Sequence, residues 1–244
     1  MKAMVLAAGL GTRLRPLTDD RPKALVKVGG RTLLEIVLAR LRSFGVREAI
    51  VNVHHFAGMV EEYLAANSNF GMRIELSREQ ELLDTGGGLK KAAWFFDDDA
   101  PFLLHNVDVL SAINLSRMVQ AHKEQGALVT LAVEQRESSR ALLFDAEGRL
   151  CGRRAGRGIE PQWARETAGA QELAFAGIHV ISPKIFEKMS EERAFSIIDV
   201  YLRLAAEGEK IAAFRVDGCA WRDLGRPESL KAAEQEFEAG RFPI

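Results

Sequence analysis

Only two cysteines occur in 244 residues, Cys151 and Cys219, in unrelated contexts and without metal-ligand spacing. That scarcity suits a reducing compartment and leaves both thiols as ordinary packing groups. No stretch approaches the roughly 18 apolar residues of a membrane span, and the N-terminal MKAMVLAAG has neither a long apolar core nor a small-residue cleavage site. The expectation is a soluble, cytoplasmic protein without a membrane partner. An excess of one charge is also missing: 33 basic against 34 acidic residues leave a formal net charge of −1, so no global field recruits nucleic acid. Any anion must therefore be held by local groups. Repeats, low-complexity tracts and linkers are absent too.

What is present is enough apolar material, 47% of the chain, for a large core built as one domain with a small lobe. Residues 3–8 form an apolar run ending at Gly9, the mark of a buried parallel strand that opens into a loop. Leu33, Val37 and Leu41 recur at helical spacing after Thr32, and Gly45 follows as a stop signal. Strands over 48–53, 72–77, 101–107 and 128–134 alternate with helices over 58–66, 86–96 and 115–125. Further on, a hairpin pairs 141–144 with 149–152, residues 153–169 read as a polar loop, and strands over 173–181 and 210–216 flank a helix over 197–206 before a closing helix over 227–239. The pattern predicts an α/β fold: a Rossmann-like, mostly parallel mixed sheet with helices on both faces and a small, partly antiparallel lobe. A single domain is expected, with a core over 1–134, a lobe over about 135–220 and a closing segment over 221–244.

The loop LAAGLGTRLRP leaves the C-terminal edge of the first strand, where open α/β sheets bind ligands. It fails as a dinucleotide turn, because the third glycine position is Leu14 and the next helix begins only near Thr32. A Walker-type loop fails as well, since no Gly-Lys-Ser/Thr follows. What remains is Gly9, Gly11, Thr12, Arg13, Arg15 and Lys23, a concentration of glycine and cationic groups suited to polyphosphate. A solvated, mobile basic loop is the plainer alternative.

LAAGLGTRLRPLTDDRPKALVKVGG closely resembles the signature of the sugar-1-phosphate nucleotidylyltransferases, G-x-G-T-R followed by P-K-A/P-L. The resemblance implies that Leu6, Ala8, Gly9, Gly11 and Thr12 line the nucleotide, that Arg13 grips the departing pyrophosphate and that Lys23 holds phosphate at the reacting centre. Asp108, in HNVDVL, falls at the same sheet edge as Gly9, and a carboxylate beside a phosphate loop calls for a bridging cation such as Mg²⁺. WRDLGRPESL resembles the family's W-x-D-x-G-T-P-E-x-L segment, which implies Asp223 as the other metal ligand. Val107 replaces the glycine of the usual N-G-D, a change expected to restrict the backbone and narrow the sugar pocket. By the same resemblance Asn106, Glu172 and Gly177 face the sugar, while Gln80, Gly86 and Gly88, around ELLDTGGGLKKA, face the base.

These parts imply attack by an oxygen of a sugar 1-phosphate on the α-phosphorus of an NTP, with release of pyrophosphate. A phosphate monoester has a second pKa of about 6, so the nucleophile is already ionised and no catalytic histidine or serine is required. Accordingly His54 and His55, adjacent on a strand end and so facing opposite ways, are read as structural, and the run Asp97 to Asp99 as a solvated turn. Many relatives carry a Glu-Lys-Pro segment whose lysine holds the sugar phosphate; it is missing here, and Arg153, Arg154 and Arg157 are either substitutes or solvated. The short chain most resembles N-acetylmuramate-1-phosphate uridylyltransferases, with mannose- and heptose-1-phosphate guanylyltransferases close behind. Three alternatives stay open: a cytidylyltransferase acting on phosphocholine, a glycosyltransferase reading N-V-D as its metal motif, and a regulatory subunit that binds nucleotide sugar without turnover. The oligomeric state, a homodimer included, is open as well.

Overall fold

Ala3, Met4 and Val5 have no exposed surface, and their side chains divide between two apolar clusters on opposite faces of one sheet. A computed structural model describes residues 1–156 and 158–239. In chain order the first half contains β1 (Lys2–Leu6), β2 (Lys27–Val28), β3 (Arg31–Thr32), α1 (Leu33–Ser43), β4 (Glu48–Val53), α2 (Ala57–Ala66), β5 (Arg73–Arg78), α3 (Asp84–Lys91), β6 (Phe102–Asn106), β7 (Val109–Ser111) and α4 (Leu115–Gln125). The second half adds β8 (Val129–Glu134), β9 (Ala141–Phe144), β10 (Leu150–Arg154), β11 (Gln162–Trp163), β12 (Gln171–Ile181), α5 (Ile185–Lys188), α6 (Ile197–Ala206), β13 (Ile211–Arg215), β14 (Trp221–Asp223) and α7 (Pro227–Glu238). Among the described residues no helix is long and apolar enough to cross a membrane.

Local signals explain several boundaries. The Thr32 hydroxyl accepts the Glu35 N–H at 3.1 Å and so caps α1, and the chain leaves the helix through Gly45 at φ 84. Leu33, Val37 and Leu41, one face of α1, are all buried against the sheet. The helix anticipated over 86–96 instead begins at Asp84 and ends at Lys91, where a 3-10 turn over Ala93–Phe95 takes over. Three glycines give no periodic signal, so its start was not legible.

The strands lie in the order β11-β10-β9-β12-β6-β1-β4-β5, with β8 beside β12 and β13 beside β8. β6, β1, β4 and β5 run parallel, as do β8 and β13, while β12 is antiparallel to both β6 and β8. The expected α/β class, mixed sheet and two helical layers are all found. α1, α2, α4 and α7 cover one face and α3, α5 and α6 the other. β12 pairs with β9 at its start, with β8 from Ala174 onward and with β6 along its second half, so it ties the antiparallel ribbon β9-β10-β11 to the main sheet. That ribbon extends farther than the expected hairpin, because Arg153 pairs with Gln162 within residues read as loop. Its polar edge lacks apolar alternation. Arg157 lies outside the described residues.

Two histidines are sealed inside the sheet. His105 on β6 and His179 on β12 are 0% and 1% exposed, and the His179 Nδ1 lies 2.8 Å from the Tyr201 hydroxyl. Burial lowers His105 to about 4 and His179 to about 3. Both are neutral when folded, whereas in the unfolded chain they protonate near 6.5. Between those values the unfolded state binds more protons, so stability falls as pH drops below about 6.5. By pH 5 each should cost on the order of 2 kcal/mol, seen as a lower urea midpoint at pH 5 than at pH 7.5.

Candidate active site

Register sets the site. Leu6 stands level with Asn106 of β6 and Asn52 of β4, and Asn52 with Ser77 of β5, so the segments leaving these strands emerge at one edge. The Gly9 to Lys23 loop is pinned there by two short turns that bury Leu14, Ala24 and Leu25 while leaving Arg13 exposed. Gly11 adopts φ 65 and accepts the Thr18 hydroxyl at 2.9 Å. A Cβ there would meet Thr18 at 2.9 Å and the Lys23 Cβ at 3.1 Å, so glycine is what lets the loop fold back on Lys23. Buried apolar residues on both sides anchor the loop.

Lys23 Nζ donates to Asp108 Oδ2 in an ion pair whose side chains are 11% and 17% exposed. Asp108 sits between β6 and β7, and β7 pairs with β14 so that Val109 faces Asp223. The Leu224 N–H donates to the Asp108 carbonyl at 2.8 Å, and the Gly225 N–H to Asp223 Oδ1 at 2.6 Å. A Cβ on Gly225 would fall 2.7 Å from Asp223 Oδ1, 3.1 Å from Arg13 Nη2 and 3.3 Å from Lys23 Nζ. Three charged groups thus surround one point, and glycine leaves that point open. Sequence reasoning placed Asp108 and Asp223 in segments far apart; the short β7 and β14, too brief to show periodicity, bring them together.

Two cavities meet here. The first, of about 400 Å³, is lined by Leu6, Ala8, Gly9, Lys23 and Asp108 together with Asn52, Glu79 and Thr85. The second, of about 970 Å³, is lined by Arg13, Gly177, Asp223, Arg136 and Arg226. Asn106 lies on both walls. Gly177, at φ 76, lets β12 approach: a Cβ would strike Val109 at 2.6 Å and the Asn106 amide at 3.0 Å. Val107 is buried on the wall of the first cavity rather than the second, and its N–H donates to the Leu6 carbonyl at 3.1 Å.

Other anticipated residues lie elsewhere. Thr12 is exposed on the loop and on neither wall, and Gln80 is exposed. Its neighbour Glu79, 5% exposed, instead reaches the cavity: Asn52 Oδ1 accepts the Ala7 N–H at 2.7 Å, Asn52 Nδ2 donates to Glu79 Oε1 at 2.7 Å, and Glu79 Oε2 accepts the Leu83 N–H at 3.0 Å. This network ties β1, β4 and the segment before α3 into one wall. Its sequence signal was a polar Asn52 at the ligand edge of an apolar strand, in IVNVHH. His54 Nδ1 lies 2.9 Å from the Glu79 carbonyl, consistent with the structural reading.

Gly86 and Gly88 are buried within α3. Gly86 and Gly87 donate their N–H groups to the Phe195 carbonyl at 2.9 and 3.3 Å. A Cβ on Gly88 would lie 2.7 Å from Glu79 Oε1 and 2.8 Å from Asn52 Nδ2. The glycines therefore allow close packing, and Asp84 and Thr85 reach the cavity in their place. Glu172 lines a separate hollow, where its carboxylate pairs with Arg154 at 2.7 Å. Arg153 pairs with Asp199 at 2.6 Å.

Asp108 and Asp223 are the carboxylates that could hold Mg²⁺, which takes one or two carboxylates and keeps its remaining positions for water and phosphate oxygens. Among the described residues no group of three or more His, Cys, Asp or Glu could hold a metal. Lys23, already paired with Asp108, shows that the pocket accommodates positive charge against this carboxylate.

The sequence pattern of the Nucleotidyl transferase family matches residues 2–240. The chain is 35% identical to an N-acetylmuramate alpha-1-phosphate uridylyltransferase of Caulobacter vibrioides, with 95% of each chain covered. It is 29% identical to a mannose-1-phosphate guanylyltransferase of Mycobacterium tuberculosis, covering 99% of this chain but 66% of that longer one. In fold it is similar to HddC from Yersinia pseudotuberculosis complexed with GMP-PN, with a TM-score of 0.77 at 21% identity over 97% and 99% of the two chains. With the signature loop folded onto Lys23 and the family pattern matched along nearly the whole chain, the protein belongs to the nucleotidyl transferase family, among relatives that are sugar-1-phosphate nucleotidyltransferases.

Proposed function

We propose that this protein condenses an NTP, UTP first and GTP second, with a sugar 1-phosphate to give an NDP-sugar and pyrophosphate. The observation that carries the reading is the gathering of Arg13, Lys23 and Asp223 around Gly225, with Asp108 on Lys23, at the junction of two cavities. UTP is favoured by the uridylyltransferase relative, which matches at equal coverage of both chains. The first cavity takes the nucleoside, with Leu6, Ala8, Gly9 and Thr85 on its wall, and the second takes the sugar, with Asn106 and Gly177 where β12 closes on β6.

The step is an in-line displacement. An oxygen of the sugar phosphate forms a bond to the α-phosphorus, and the bond from that phosphorus to the bridging oxygen of the β-phosphate breaks. Asp108 and Asp223 would hold Mg²⁺, which when bound would supply charge neutralisation at the phosphate oxygens. Lys23, lying against Asp108, is placed to hold a phosphate oxygen at the reacting centre. Arg13, exposed and without an ion-pair partner among the described residues, holds the leaving pyrophosphate. No proton transfer is needed, so catalysis rests on alignment and on countercharge. We place this reaction in the cytoplasm, within a single domain.

A panel of UTP, GTP, CTP and ATP against N-acetylmuramate, glucose and mannose 1-phosphates, with phosphocholine added for CTP, tests the reading. Mg²⁺-dependent pyrophosphate from one pair is expected. Absence of pyrophosphate from every pair, together with sugar transfer from a nucleotide sugar, would overturn it.

A further inference from the structure

The larger cavity holds more arginine than its own carboxylates use. Arg222 is bound to Glu236 through two hydrogen bonds, at 2.9 and 2.5 Å. Arg136 donates to Glu134 at 2.6 Å and to the Phe175 carbonyl at 3.1 Å, and lies 4.1 Å from the Trp221 ring. Arg226, on the same wall, is exposed and makes no side-chain hydrogen bond or ion pair with any described residue. It directly follows Gly225, the residue enclosed by Asp223, Arg13 and Lys23. The segment is also unusual in sequence, since Arg226 stands where the family's W-x-D-x-G-T-P pattern has threonine.

A sugar 1-phosphate is close to a dianion at neutral pH. Entering beside Asp223 it is repelled, and a countercharge on the sugar side offsets that repulsion. Two of the arginines that the sequence offers for this task are committed elsewhere, Arg153 to Asp199 and Arg154 to Glu172 and to the Ile159 carbonyl at 2.9 Å, while the third, Arg157, lies outside the described residues. Arg140, on the segment between β8 and β9, is also exposed, but it is not adjacent in sequence to the Asp223 turn.

We infer that Arg226 binds the phosphate of the incoming sugar 1-phosphate, supplying the anchor that the missing Glu-Lys-Pro segment would carry. The inference rests on the function proposed above. Its guanidinium fork suits two phosphate oxygens at once, and its open position beside the Gly225 turn keeps it free until substrate enters.

Initial rates in both directions test it, using the pair from the panel that wild-type protein turns over. Arg226→Thr should raise the KM for sugar 1-phosphate roughly tenfold to a hundredfold, the range for a charge-assisted hydrogen bond. The KM for NTP, and for pyrophosphate in the reverse direction, should stay within about threefold, with Arg226→Lys intermediate. A melting temperature matching wild type would show that the fold is kept. A rise in the KM for pyrophosphate would place Arg226 on the leaving group instead, and an unchanged KM for sugar 1-phosphate would make it a solvated side chain; either overturns the inference. So would the same loss in Arg140→Ala with none in Arg226→Thr. Wild-type protein that releases no pyrophosphate with any pair and transfers sugar from a nucleotide sugar would refute the proposed function itself, a result distinct from all of these.

Discussion

Asp108→Ala is expected to lower the rate of pyrophosphate release by about 10³-fold or more, since it removes a fixed charge at the point where charge must be balanced. The carboxylate has two tasks in this fold. It holds the Lys23 ammonium, and in the proposed mechanism it would ligate Mg²⁺ together with Asp223, brought alongside by the β7–β14 pairing. Asp108→Asn keeps the shape and loses the charge, so it should be nearly as slow. Either variant leaves Lys23, 11% exposed, without its carboxylate, and a modest fall in melting temperature should accompany the loss of activity. Raising Mg²⁺ should recover little rate. Near-wild-type turnover in Asp108→Asn would remove Asp108 from the reacting centre.

Arg13→Ala should reduce kcat by about 10²-fold with almost no change in melting temperature. The separation of rate from stability follows from its position. Leu14 is fully buried and anchors the turn, whereas Arg13 itself is exposed and pairs with no described residue. In the reverse reaction the KM for pyrophosphate should rise far more than the KM for NDP-sugar, because the guanidinium is assigned to the group that leaves. Arg13→Lys should restore part of the rate, since a point charge replaces a fork of donors. A fall in stability matching the loss of rate would identify Arg13 as a structural residue.

The signature loop was readable because its features are local. An apolar run ending at Gly9, cationic residues at set distances and two prolines all lie within one short stretch. The α/β alternation was readable for a similar reason: capped helices such as α1 and buried strands such as β1 carry their periodicity in a few consecutive residues. Gln80 and Glu79 show where that legibility ended. They are neighbours of similar polarity, and only the pairing of β5 with β4 decides that Glu79 meets Asn52 while Gln80 faces outward.

By itself the sequence determined the fold class and the family, through local periodicity and a long, specific motif. Only the tertiary structure decided which distant residues meet. The β7–β14 ladder places Asp223 next to Asp108, and α3 packs its glycines against the Phe195 carbonyl and the Asn52–Glu79 pair, with Asp84 and Thr85 reaching the cavity. Ion pairing occupies Arg153 and Arg154 and, among the described residues, leaves Arg226 without a partner. Such outcomes depend on strand register and on competition among carboxylates, which are properties of the assembled sheet rather than of any short stretch of chain.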